Sequence, residues 1–230
     1  MATTGTYDFN PAVANLTLLA FSRIQIRRTE ITAQHLADAD LEGNLTQVQM
    51  GNRQPLLWRQ EIVEIPMLES DDEYDLPTRM IAVRDAYLST TVSSVTTDRV
   101  LWPLSASEYD ALPNKTLEAP PQTYLVTKLM SPTVKVWPVP NVTGQYTMKL
   151  RILSQIQDPS LRNGVTLDMP YRAIDVFVAG LAHRLARIWK PELEMQRKAD
   201  FEDAWAAFTT SDVEDGVPLY IAPSFGGYYR

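Results

Sequence analysis

The spacing of apolar residues changes twice along the chain, and each change predicts a change of structure. Over residues 11–26, Val13, Leu16, Ala20 and Ile24 recur at helical intervals, with Asn10 placed to cap the first turn. A second helix is predicted over 32–50, with Leu36, Leu41, Leu45 and Val48 as its apolar positions. Gly43 and Asn44 weaken its middle and predict a kink or break there. From Leu57 the period becomes two. Residues 58–66 read as a strand and 69–73 as a charged turn; further strands are predicted at 80–90, 99–104, 122–128, 133–138 and 145–154. A short helix over 105–112, capped by Ser105 or Ser107, interrupts them.

The helical period returns at 170–190 in the most regular stretch of the chain. Ile174, Phe177, Val178, Leu181, Leu185, Ile188 and Trp189 fall in one sector, and Arg172, His183, Arg184, Arg187 and Lys190 in the other. A last helix from Pro191 presents Leu193, Phe201, Ala204, Trp205 and Phe208 on one side, so 190–191 is a tight corner between antiparallel helices.

Proline placement draws the same map. Eleven of the 16 prolines fall between Pro55 and Pro159, whereas Pro11, Pro170 and Pro191 stand at helix starts, where a missing N–H costs nothing. The expected class is α+β. A helical bundle is built from 1–56 and 160–210, and an antiparallel β-sandwich or partly closed barrel from 57–159 is inserted into it. Residues 211–230 lack either period and read as an extended C-terminal arm.

Composition narrows the chemistry. The 230 residues include no cysteine and two histidines, His35 and His183, which removes thiolate catalysis, disulfides, zinc fingers and a multi-histidine metal site within one chain. Phosphate-binding glycine loops, a G-x-S-x-G elbow and H-E-x-x-H are all missing, so no catalytic residue, metal or cofactor is expected. Asp38, Asp40, Glu42 and Gly43 imitate the opening of a calcium loop, but Gln49 stands where the bidentate carboxylate belongs, and a helix uses the same residues without strain. The acidic run Asp71, Asp72, Glu73 and Asp75 reads as a charged turn that discourages edge pairing. No apolar run is long enough to span a membrane, and residues 1–6 carry no secretion signal, so a cytosolic protein is expected. A net charge of −7 disfavours general nucleic-acid binding.

The order of parts carries a resemblance. A helix pair is followed by Tyr74-Asp-Leu-Pro77, by Arg99-Val-Leu-Trp-Pro-Leu-Ser-Ala-Ser-Glu-Tyr109 and by Thr133-Val-Lys-Val-Trp-Pro-Val-Pro140, and a helix pair with a trailing arm closes the chain. This layout resembles the head-to-tail adaptors of tailed bacteriophages, a group that includes tail accessory factors and tail tubular A proteins of short-tailed phages. The resemblance implies a structural virion protein at the head–tail interface, made in the host cytoplasm. It would form a dodecameric ring with copies of itself beneath the portal protein. That ring would extend the channel for passing genomic DNA without sequence-specific contact, and a tail nozzle or tube protein would dock below.

Within that frame Leu219, Tyr220, Ile221, Phe225, Tyr228 and Tyr229 are the candidate portal-docking residues of the arm, being too apolar for an exposed linker. Arg172, Arg184, Arg187 and Lys190 are either solvated, or an intersubunit face, or a channel face. Two other classes stay open. One is a glycan hydrolase with paired carboxylates; the other is a β-sandwich binding module using Trp102, Trp137 and Tyr109.

Overall fold

A computed structural model describes residues 5–6, 9–161 and 164–212. Helix α1 is Val13–Arg23, shorter at both ends than expected. Ala12, not Asn10, precedes it, because Ala12 bridges to Thr166 and the Val13 N–H donates to the Val165 carbonyl at 2.8 Å. That borrowed acceptor satisfies a donor that a side-chain cap would otherwise serve. Its end is set by Gln25, whose φ of 63° leaves the right-handed region.

Helix α2, Ala33–Arg53, begins at Thr32, whose Oγ1 accepts from the His35 N–H while the Thr32 N–H donates to His35 Nδ1. It runs unbroken through Gly43 and Asn44, so no break falls there. The reason is packing: Gly43 lies against Pro159 and Phe177, and tertiary contact holds the turn that propensity alone would loosen.

The β region has eight strands: β1 Gln60–Pro66, β2 Glu73–Asp75, β3 Met80–Val92, β4 Val95–Val100, β5 Trp102–Pro103, β6 Thr123–Thr127, β7 Thr133–Trp137 and β8 Tyr146–Ser154. Helix α3, Ala106–Asp110, sits between β5 and β6; Ser105 caps it with a reciprocal Glu108 contact. The strands form two four-stranded sheets, in the orders β1-β8-β3-β4 and β2-β7-β6-β5. Among the described residues neither sheet closes into a barrel.

Three features depart from expectation. Strand β4 starts at Val95 rather than Arg99, because Ser93 and Ser94 take φ of 50° and 66° and turn the chain in two residues. Part of the charged turn is strand β2, which pairs with β7. Strand β5 runs parallel to β6, where an antiparallel arrangement was expected.

Alternation sets the core of the sheets. Tyr146, Met148, Leu150 and Ile152 on β8 face inward and meet Val134, Val136 and Tyr124 of the other sheet in one apolar cluster. A second cluster lies among the helices and is centred on α4, Tyr171–Trp189, with Phe21, Met50, Phe201 and Phe208 around it. A 3₁₀ turn, Pro191–Leu193, makes the corner into α5, Glu194–Ser211. Helices α1, α2 and α5 all pack on α4. The crossing is close at Gly180: a Cβ there would lie 2.8 Å from Thr46 Cγ2 and 3.0 Å from a Phe201 ring carbon.

Candidate functional site

Helix α4 was expected to be two-faced, and it is instead enclosed. Ala173, Val176, Ala179, Ala182 and Ala186 are buried along with the apolar sector, and His183 is buried too, while Ile188 of that sector is exposed. The alanines explain this, since short side chains let three helices approach one axis. His183 stacks on Phe201 at 6.3 Å between centroids, and among the described residues neither ring nitrogen has a hydrogen-bond partner. Burial pushes its pKa below the ordinary histidine value, and Arg187, Lys198 and Arg184 add to the effect, against the opposing pull of Glu194.

Each of the four basic residues singled out on α4 meets an acid of its own chain. Arg172 donates to Asp212 at 2.7 Å, Arg184 to Glu42 at 3.0 Å and to Gln49, and Arg187 to Glu194 at 2.8 Å; Lys190 lies 3.9 Å from Glu192. The Arg187 hydrogen bond is the main reason the Glu194 carboxyl sits below the usual range. Arg184 ties α4 to α2, and Arg172 ties it to the end of α5. Arg187 and Lys190 keep much of their side chains in solvent. The six arm residues, Leu219, Tyr220, Ile221, Phe225, Tyr228 and Tyr229, lie outside the described residues.

The three aromatic candidates of the β region differ in exposure. Tyr109 is buried, and its hydroxyl donates to Asp72. Trp137 is half-buried, its Nε1 donating to the Asn114 carbonyl at 2.9 Å. Trp102 is 67% exposed on β5. Trp102 and Trp137 flank Thr123 in register, so the two tryptophans share one face of the second sheet, and the buried Tyr109 is not part of that surface. The helix reading of residues 38–43 is the one the fold adopts, and among the described residues no cluster of acidic, histidine or cysteine side chains is arranged to hold a metal ion.

Two features were not anticipated. The first is on α2, where the residues chosen as its core side point outward: Leu41 is 62% and Val48 57% exposed, with Leu36 and Leu45 also in solvent. The buried side is Ala39, Gly43, Thr46, Gln47 and Met50. Leu41, Leu45 and Val48 follow a four-then-three spacing that lines them up along one edge, and Asn52 extends it without a charge. The second is an open cleft of about 660 Å³ between the C-terminal half of α2 and the ends of the central strands β3 and β8 of the first sheet. Val48, Leu56, Ile81 and Ile156 supply apolar wall, and Arg53, Arg59 and Asp158 its charges.

Against known proteins, the family described as SU10 adaptor protein matches residues 12–220. The match bears out the head-to-tail adaptor resemblance and says nothing of tail accessory factors or tail tubular A proteins. No curated protein matches the chain.

Proposed function

We propose, from the premise that the chain belongs to the SU10 adaptor protein family, that it is the subunit of a ring seated beneath a phage portal. The family is one of phage head-to-tail adaptors, structural proteins of the virion's head–tail junction that associate with portal and tail proteins. The match over 12–220 carries this reading.

The finer role is supported by the geometry of α2. A stripe of Leu41, Leu45 and Val48 that the described residues leave exposed is the kind of seam that a neighbouring subunit covers in a closed ring. Arg187 and Lys190, still largely in solvent, are then the basic residues of α4 open to a neighbour or to the channel, while Arg172 and Arg184 hold the subunit together. Residues 211–230, with their Leu219 to Tyr229 apolar side chains, dock on the portal. The tail nozzle or tube binds the opposite rim, and the ring turns over no substrate.

Mixing the purified chain with purified portal rings and imaging the product by electron microscopy tests this. An added ring of density on one end of the portal is the expected result. Portal particles that stay bare at high adaptor concentration would remove the reading.

A further inference from the structure

We infer that the cleft between α2 and the first sheet is the seat of the chain's own C-terminal segment, residues 213–230, in the unassembled subunit. The starting point is where the described chain ends. The Asp212 carboxylate accepts from the Leu57 N–H at 3.4 Å and from Arg172, so the chain leaves α5 against the 53–59 loop. Trp58 packs edge-on against Phe208 of α5 at 5.6 Å on one side of that loop. The other side, through Arg53, Leu56 and Arg59, is a wall of the cleft. The 18 residues that follow Asp212 reach roughly 60 Å when extended, many times what is needed to enter a cleft that begins at the next loop.

The lining fits a peptide of this composition. Val48, Leu56, Ile81 and Ile156 offer apolar wall to Val213, Val217, Leu219 and Ile221. Both guanidiniums of the lining are already engaged, Arg53 by Glu202 and Arg59 by Asp168, so the fit rests on the apolar wall.

A segment carrying Leu219, Tyr220, Ile221, Phe225, Tyr228 and Tyr229 would otherwise be an exposed apolar tail, with the aggregation risk that brings. Seating it in the cleft covers it until a partner takes it over. The seat rests on the fold alone; only its exchange for a portal site rests on the adaptor reading.

Disulfide trapping in the full chain tests the seat, because the protein has no native cysteine to compete. Val48→Cys is combined in turn with Val217→Cys, Leu219→Cys or Ile221→Cys and exposed to a mild oxidant. Met130→Cys, 98% exposed on the turn after β6, replaces the cleft cysteine in the controls. At least one Val48 pair should close within a single chain several-fold faster than every Met130 pair, and urea should abolish the difference. Rates equal to the Met130 controls would overturn the proposal, as would disulfide-linked dimers in place of intrachain closure. Neither outcome bears on portal binding, which the mixing experiment reads separately.

Discussion

Helices α2 and α4 have similar lengths and opposite relations between pattern and burial. Helix α4 is enclosed on nearly every side; α2 hides its small and polar residues and exposes its leucines. The difference lies in how closely the axes approach. Where α2 crosses α4, Thr46 faces Gly180, and a leucine at either position would hold the helices apart. Apolar residues on α2 are therefore displaced to the side that this chain leaves open. Hydrophobic spacing on a helix does not by itself identify the side that faces the core.

Matched truncations give the sharpest contrast. Leu181→Ala, at a fully buried position on α4, should cost about 2–5 kcal/mol in denaturant unfolding. Leu41→Ala removes the same atoms from the exposed stripe of α2 and should change the stability of the isolated chain by no more than about 0.5 kcal/mol. Equal losses would mean that α2 is packed in the monomer after all.

The crossing itself can be tested at Gly180. An added methyl would meet Thr46 Cγ2 at 2.8 Å and the Phe201 ring at 3.0 Å, so a side chain or a helix at the crossing must shift. Overpacking of this kind costs about 1–3 kcal/mol, and the better helix propensity of alanine returns up to about 1 kcal/mol. Gly180→Ala should therefore be net destabilising, seen as a lower urea midpoint. A rise in the midpoint would show that the helices have slack at this point.

His183 adds a pH dependence to α4. Its folded-state pKa is lowered by burial, so protonation favours the unfolded chain. This contribution is harmless above the unfolded histidine value of about 6.5, and stability declines as pH falls through that value toward the folded pKa. The shifted carboxylates Glu61, Glu73, Glu194 and Glu202 act lower, because their depressed pKa values withdraw stability only as pH falls below about 4.5. Unfolding free energy measured from pH 7.5 down to about 5 should fall in the parent chain and fall less in His183→Leu. Parallel curves would rule out the imidazole as the source.

The contrast also explains what the sequence could reveal. Strands β7 and β8 and helix α4 were legible because one side of each is filled by large residues at the period of the element. The short helix after β5 was legible with two candidate caps, and the structure selects Ser105, whose side chain accepts from the Glu108 N–H. The start of β4 was hidden because a Ser-Ser pair adopts a turn that normally announces itself with Asn or Gly. The burial of His183 was hidden in a run of basic residues, and the inward side of α2 because Gly, Thr and Gln do not look like a core. The cleft joins residues 44–59 to 81–82 and 153–158, which no local pattern relates. Membership of an adaptor family was legible from the order of parts, whereas the surfaces an adaptor could use depended on knowing which apolar positions the fold leaves open.

The smallest effect belongs to the other glycine of the comparison. Gly43 sits in the middle of α2, where glycine normally weakens a helix by about 0.5–1 kcal/mol relative to alanine. It resembles Gly180 in being buried against neighbours, yet the space differs. A Cβ at Gly43 would lie 3.5 Å from Pro159 Cγ and 3.7 Å from Phe177 Cζ, ordinary van der Waals separations, and its φ is not in the left-handed region. Nothing therefore opposes the propensity gain, and the added methyl makes two apolar contacts. Gly43→Ala should raise unfolding stability by about 0.5–1 kcal/mol, while the chemically identical change at Gly180 lowers it. If Gly43→Ala were destabilising instead, α2 would be pressed against Pro159 and Phe177 as tightly as it is against α4 at Gly180, and the distinction between a close crossing and a loose one along the same helix would fail.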